Sequence, residues 1–500
     1  MMNPLPSHDR STPRVANKTH RHKQAVIFDV MYGFIPVTEW EEKIINSPFF
    51  QRLRWIKQLG FANYIFPGAE HNRFAHVIGV MHSMDQMIRS LGIGVSDDEL
   101  FNPRSRSEAA MLHKSLRIAA LLHDLGTFPF SHAVENAYMR HGNASRSERK
   151  AKGGKTKLAK ELVNNHEHLG AFIIKNTPYP GGLTQILEEY GLDVQMISKI
   201  IKGESPYLIA NQLMHSDLDA DRMDYLLRDS HYTGMKYGQF DREYIMANLT
   251  LFDSSGGQKA FGVRENAQHA VEDFLIARFS WYSQIIKNQA SAKFDIMSTS
   301  VTKVMLEHDL MYQFHDLLTM VEEKDERFFW WNDMYFMQRL QDVRFKRLIR
   351  DPKTEELIEG LLYRQAPKTI RHPAFDHRII QDTPEEKDKL VRQMNSKVKE
   401  IESVLAKHGT GREWILVDFP HKDVVFTKSK KSLMRSYKGP TKNLINESES
   451  VKIVDHSGKP SLLVDRENTL MKHLSGFINF VPSVYASQAA IELLRKKSVI

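Results

Sequence analysis

Apolar positions along the chain recur mostly at intervals of three and four, the spacing of a helix face. Between residues 40 and 59, Ile44, Ile45, Phe49, Leu53 and Ile56 fall on one side of a helix. Pro48 breaks or kinks that helix, because it lacks an amide donor and clashes with the preceding turn. Val77, Val80, Met81, Met84, Met87, Ile88 and Leu91 predict a second helix, which Gly92 ends. From Ile118 to Leu122 the chain is continuously apolar, as in a buried helix, and Gly126 and Pro129 beyond it form a stop pattern. Residues 215–229 carry two stripes, one apolar (Ala220, Met223, Leu227) and one polar (Asp221, Tyr225, Asp229). Residues 266–320 continue helical, with Phe274, Ile276, Phe279, Trp281 and Tyr282 as core aromatics. Strands are predicted at 25–30 and, after Arg350, at 413–419, 423–426, 451–454 and 461–464. The expected fold is mainly α: a helical core followed by a smaller C-terminal α+β lobe.

Composition divides the chain further. Residues 1–24 read as a disordered basic arm, 25–345 as the core and 346–500 as the C-terminal lobe. Within the core, 140–160 is a polar insertion rich in Lys and Arg. Its Gly154-Lys155-Thr156 is not a phosphate-binding loop, since Arg149 stands where the first glycine belongs and no strand precedes it. No internal repeat is present. There is no apolar run of about 20 residues, so no transmembrane helix is expected. The N-terminal stretch lacks the apolar core of a signal peptide, and a cytoplasmic location is expected. With 0 Cys there is neither a disulfide framework nor a thiolate metal site, so any metal must be held by His, Asp and Glu. Lys+Arg of 69 against Asp+Glu of 61 gives a net charge of +8, compatible with anionic ligands and equally with ordinary solubility.

Candidate chemistry gathers at a few points. Burying the adjacent His123 and Asp124 at the end of an apolar helix is costly unless both gain partners. A cation partners both, whereas a surface pair at a capped helix end needs none. His76 falls in the first turn of its helix, close to Arg73. The stacked acids of the 221–229 stripe repel one another unless a cation or ligand intervenes, or unless the face is simply solvated. His166-Glu167-His168 is not the His-Glu-x-x-His spacing of zinc proteases.

Set together, His76, His123-Asp124 and Asp221 lie on three predicted helices and resemble the H…HD…D ligand pattern of HD-domain metal-dependent phosphohydrolases. The segments 51–60 (Gln51 to Gly60), Phe66-Pro67-Gly68, 71–76 (His71 to His76), His123 to Gly126, Pro129 to His132 and Asp219 to Tyr225 narrow the likeness. In this order they resemble the deoxynucleoside triphosphate triphosphohydrolases, both bacterial dGTPase-like enzymes and the mammalian enzyme with a SAM domain. No SAM domain is apparent here. The likeness is dense over 30–240 and thinner to 420.

The resemblance implies an HD-domain helical core in which His76, His123, Asp124 and Asp221 hold one divalent ion (Fe, Mn, Mg or Zn). Two imidazoles and two carboxylates leave positions open for a phosphate oxygen and water. It makes His132, His166 and Asp221 the catalytic groups, the two histidines acting in proton transfer or electrophilic assistance beside the triphosphate. Arg73 and Arg222 match phosphate contacts, Gln58 and Asp229 match readers of the sugar 3′-hydroxyl, and Tyr225 matches the wall that excludes a 2′-hydroxyl. The chain departs from the pattern at Thr127, where a histidine is usual, at Glu135, where an aspartate is usual, and over 281–289.

The implied activity is hydrolysis of a dNTP to deoxynucleoside and inorganic triphosphate by a homo-oligomer, dimer or tetramer, tuned by a regulatory nucleotide. Lys428, Lys430, Lys431, Arg435, Lys438 and Lys442 form a basic cluster suited to such a ligand, or a solvated loop. The alternatives are an HD phosphodiesterase or nuclease on cyclic nucleotides or nucleic acid, and a nucleotide sensor with a weakened site. Nucleic acid is the less favoured partner, and no membrane partner is expected.

Overall fold

The computed structural model describes residues 25–151, 164–254, 256–419, 424–428, 433 and 449–500, with side chains described up to residue 141 and again from 164. The predicted N-terminal arm, 1–24, lies outside the described residues. The fold is mainly α-helical.

Three helices frame the site. The His76 helix runs Arg73–Ser90, beginning four residues before its first predicted apolar position because the Asn72 side chain accepts the Ala75 amide at 3.1 Å. Its apolar stripe, Val77, Val80, Met81, Met84 and Met87, is wholly buried. It packs against the helices Glu108–Leu122 and Ala220–Thr233. Each buried aliphatic side chain contributes about 1.5–3 kcal/mol to holding this helix in place.

The Glu108–Leu122 helix starts at a Ser107 cap and is buried continuously from His113 to Leu122, as its apolar run predicts. Residues 123–131 then turn, so the His123-Asp124 pair sits just past the helix end. Gly126 is required in this turn. A Cβ there would lie 2.1 Å from the His166 carbonyl oxygen and 2.3 Å from the Gly170 amide nitrogen, both backbone atoms. The turn closes with Phe130 and Ser131 in the left-handed region, at φ 49 and 55. The next helix, His132–Ala151, runs through the first part of the predicted polar insertion, so residues 140–151 are helical. The remainder, 152–160, lies outside the described residues.

The Ala220–Thr233 helix is capped by Asp219, which accepts the Arg222 amide at 2.8 Å, and closed by Gly234 at φ 73, where a left-handed residue is needed. Its predicted polar stripe is not a solvated acidic face, because Tyr225 and Asp229 are buried and only Asp221 is partly open. Pro48 indeed divides the 40–59 stretch, into the helices Glu39–Asn46 and Pro48–Gln51 followed by a 3-10 turn, Arg52–Trp55.

Beyond the frame, helix Gln268–Trp281 passes into a π-helical turn, Tyr282–Ile286, before helix Gln289–Glu307. The strand Lys259–Arg264 pairs antiparallel with Leu249–Asp253 and parallel with Lys452–Val454, which pairs with Pro460–Leu462. The strand predicted at 461–464 thus ends at Leu462 and becomes a 3-10 turn, Leu463–Asp465. Ile415–Asp418 forms as expected, whereas of 423–426 only Val424 bridges, to Asn479, and Asp423 lies outside the described residues. Residues from Ile35 to Tyr485 share the main apolar core, and a separate cluster lies within 370–494. No described helix is long and apolar enough to cross a membrane.

Candidate metal centre

The first turn of the Arg73–Ser90 helix, the turn after Leu122 and the first turn of the Ala220–Thr233 helix meet at one point. His76 Nε2 lies 3.0 Å from Asp221 Oδ1 and 3.8 Å from Asp124 Oδ2. His123 Nε2 lies 3.6 Å from Asp124 Oδ2 and 3.8 Å from Asp221 Oδ1. Separations of this size are those of neighbouring ligands around one cation at about 2.1 Å from each. One ligand atom each of His76, His123 and Asp124 lies within 4.8 Å of the others, as holds also for His132, Glu135 and His166.

The ring orientations support the same use. His76 Nδ1 faces Asp224 Oδ2 at 2.8 Å, and His123 Nδ1 faces the Ala120 carbonyl at 2.8 Å. Carboxylates and carbonyls only accept, so each Nδ1 carries a hydrogen; His76 Nε2 faces the Asp221 carboxylate, and a cation bound there would take the place of the proton between them. Asp224 is held in turn by Arg228, whose Nε and Nη2 donate at 2.8 and 2.9 Å, and Arg228 reaches Asp29 at 2.9 Å. Burial disfavours the His76 imidazolium, but Asp221 and Asp224 outweigh it and raise His76 to about 9. Burial likewise opposes ionisation of Asp124, yet the Arg73 guanidinium holds its carboxyl well below the usual range. A cation supplies the positive charge this carboxylate-rich pocket calls for. Two imidazoles whose Nε2 atoms face the centre and two carboxylates fit a divalent ion.

A second constellation lies beside the first. Glu135, buried, takes His132 Nδ1 at 2.7 Å on one oxygen and His166 Nδ1 at 2.6 Å on the other. The His166 amide adds a third bond at 2.7 Å. Burial opposes charge on this pair too, but each partner outweighs it, depressing the Glu135 carboxyl and raising the His166 imidazole. Gly126 permits the close packing that brings the His166 helix, His166–Lys175, onto the 123–131 turn. Thr127, which stands where the resemblance expects histidine, donates to the Asp124 carbonyl at 2.7 Å and braces the turn.

The predicted substrate residues divide. Arg73 points inward, donating to Asp124 and, at 3.1 Å, to Ser131 Oγ. Arg222 donates to Asp219 and, at 2.7 Å, to the Ser216 carbonyl, leaving its side chain partly exposed. Gln58 is buried, and its Oε1 has no hydrogen-bond partner among the described residues. Asp229 is fully buried, with its oxygens engaged by His71 Nε2 at 2.7 Å and Trp281 Nε1 at 2.9 Å. Tyr225 packs on Trp281, ring centroids 4.5 Å apart.

Sequence reasoning missed Asp224 and Arg228 as the supports of His76, and His71 and Trp281 as partners of Asp229. The spacing Asp224 to Arg228, acid then base at i,i+4, was a readable signal for the first pair. Nothing local marks the second.

Residues 73–229 match the HD domain. Among curated proteins, the chain is 28% identical over 284 residues to the uncharacterized protein YwfO of Bacillus subtilis, covering 56% of this chain and 55% of that protein. It is 30% identical over 309 residues to the deoxynucleoside triphosphate triphosphohydrolase SAMHD1 of Bos taurus, covering 57% of this chain and 47% of that one. The chain thus spans about half the length of these curated relatives. A solved phosphohydrolase structure from Bacteroides thetaiotaomicron superposes with a TM-score of 0.61 at 19% identity, covering 93% of this chain and 100% of that one. Residues 73–229 carry an HD domain, and the chain shares the fold of that solved structure. HD domains bind divalent metals, and the His76–His123–Asp124 group lies inside the matched region.

Proposed function

We propose that this protein is a metal-dependent hydrolase that splits deoxynucleoside triphosphates into deoxynucleoside and inorganic triphosphate. The observation that carries the reading is the pairing of two sites: His76 and His123 within 3.0–3.8 Å of Asp124 and Asp221 across the centre, and beside them two imidazoles held by Glu135. The likeness to the protein named deoxynucleoside triphosphate triphosphohydrolase supports the choice of substrate.

His76, His123, Asp124 and Asp221 would hold one divalent ion, Fe, Mn, Mg or Zn. Such an ion supplies Lewis-acid polarisation of a phosphoryl oxygen and a more acidic water. The chain's own residues do the rest. His132 and His166, each with Nδ1–H anchored on Glu135, present their Nε2 edges as acid/base groups, one of which hands a proton to the departing sugar oxygen. Arg222, at the helix N-terminus and partly open, and Arg73 contact phosphate oxygens. The buried, unpartnered Gln58 Oε1 accepts from the sugar 3′-hydroxyl. Asp229 acts with it, either directly or by fixing His71 and Trp281. Tyr225, backed by Trp281, closes the space a 2′-hydroxyl would need.

Assembly as a homo-oligomer, dimer or tetramer, with a regulatory nucleotide belongs to the same reading. Of the basic cluster proposed for that ligand, Lys428 pairs with Glu449 at 2.8 Å, and Lys430, Lys431, Arg435, Lys438 and Lys442 lie outside the described residues.

Chromatography of products from a mixed pool of dNTPs, NTPs, cyclic nucleotides and DNA tests the proposal. Deoxynucleosides with inorganic triphosphate, lost on exhaustive chelation and in Asp124→Ala, are expected. Cleavage confined to cyclic nucleotides or DNA would place the protein with the phosphodiesterases or nucleases instead.

A further inference from the structure

Two adjacent loops carry residues of the proposed site: residues 56–60, which hold Gln58, and residues 126–131, which lead into His132. Both are tied to one carboxylate far along the chain. The Lys57 amide donates to Asp333 Oδ2 at 2.9 Å and the Phe130 amide to Asp333 Oδ1 at 2.6 Å. Asp333 is the first residue of the helix Asp333–Lys346, well beyond the matched HD domain. It does not cap that helix. Asn332 does so, accepting the Met334 and Tyr335 amides at 3.0 and 3.3 Å, which leaves both Asp333 oxygens to the loops.

We propose that Asp333 is a positioning residue, which fixes the Gln58 loop and the His132 loop against each other so that substrate-binding and proton-transferring groups share one geometry. The inference rests on the functional reading given above. Three further observations support it. Phe130 and Ser131 are consecutive non-glycine residues in the left-handed region, a conformation that persists only where surroundings impose it. The two loops are also stitched directly, Ser131 Oγ donating to the Lys57 carbonyl at 2.8 Å while Arg73 Nε donates to Ser131 Oγ. The Phe130 ring stacks on Phe61 at 4.1 Å and 4°, so the loop has one packed seat into which the Asp333 bond draws it. Burial pushes the Asp333 carboxyl up to about 7 against the pull of the two amides, Lys57 and Arg52. A carboxylate held at such a disadvantage is a poor choice for stability alone, and its two acceptor oxygens match two loop amides.

Asp333→Asn keeps the shape but offers one acceptor and one NH2, so one of the two amides meets a donor. In the metal-loaded protein, amide hydrogen exchange should rise in peptides covering 56–60 and 126–132 while the Glu108–Leu122 helix stays protected. With a dNTP, kcat should fall about 10–100-fold and KM change by less, the loss expected of a displaced catalytic group. Should Asp333→Asn not fold, Asp333→Glu keeps the charge, displaces the carboxylate and is read in the same way. Unchanged exchange at both loops, or an increase spread through the core helices, overturns the proposal. Wild-type protein that turns over no dNTP defeats the functional reading alone, and loop exchange then decides the Asp333 role by itself.

Discussion

Asp224 Oδ2 sits 2.8 Å from Nδ1 of His76, on the ring edge opposite the Nε2 that faces Asp221 at 3.0 Å. The acid holds the ring in the tautomer and orientation a metal ligand needs, and makes the donor nitrogen more basic. Asp224→Asn should therefore weaken metal binding by about 10–100-fold without removing a ligand. Competition with a graded chelator measures this, and unchanged affinity would show that the Asp224 contact is a packing feature.

The Glu135 clamp makes a prediction about pH. Burial by itself lowers the His166 imidazole, and Glu135 is the main group raising it above 6.5. If His166 carries the transferred proton, the alkaline limb of kcat in wild type lies above 6.5. In Glu135→Gln the main raising partner is gone, only Asp124 and Glu167 oppose burial, and the limb moves to lower pH. The stability sign follows the same shifts. The pairing stabilises fully below the ordinary imidazole value and is lost as pH rises through the raised His166 value. At the acid end it is lost as pH falls through the depressed Glu135 value. An alkaline limb at the same pH in both proteins contradicts the assignment.

Gly126→Ala tests the packing that brings His166 to the site. The new methyl would press on the His166 carbonyl and the Gly170 amide, neither of which can swing aside. Overpacking of this kind costs about 1–3 kcal/mol, read as a lower urea midpoint, and turnover should fall with it. A variant with wild-type midpoint and turnover would mean that the two segments separate freely.

The proposed sugar selection places Tyr225 beside C2′. Its ring is buried and backed by Trp281, so Tyr225→Ala should open space beside C2′ and relax discrimination against ribonucleotides by roughly 10–100-fold. The ratio of kcat/KM for dATP over ATP is the measurement. An equal ratio in wild type and variant removes Tyr225 from the sugar pocket.

Much of this arrangement was legible in the chain. The apolar periodicity of 77–91 and the run from Ile118 to Leu122 marked two of the three framing helices, because their burial is one-sided or complete and leaves a plain imprint. His76, His123, Asp124 and Asp221 could be set beside one another through the resemblance, and the structure brings them together. Less visible were the partners set by tertiary contact. Asp29 reaches Arg228 from a hairpin, Trp281 reaches Asp229 from another helix, and Asp333 reaches two loops, with no spacing in the sequence to announce any of them. The strands Leu249–Asp253 and Lys259–Arg264 pair with each other, and only Lys259–Arg264 takes a second partner, Lys452–Val454, from far along the chain.

Triphosphohydrolase activity is tested most directly by following one dNTP by 31P NMR in 18O-enriched water with the metal-loaded protein. Inorganic triphosphate is the expected phosphorus product, with the label on one of its terminal phosphates and an unlabelled deoxynucleoside. Release of orthophosphate or pyrophosphate, or label in a nucleoside monophosphate, would contradict it.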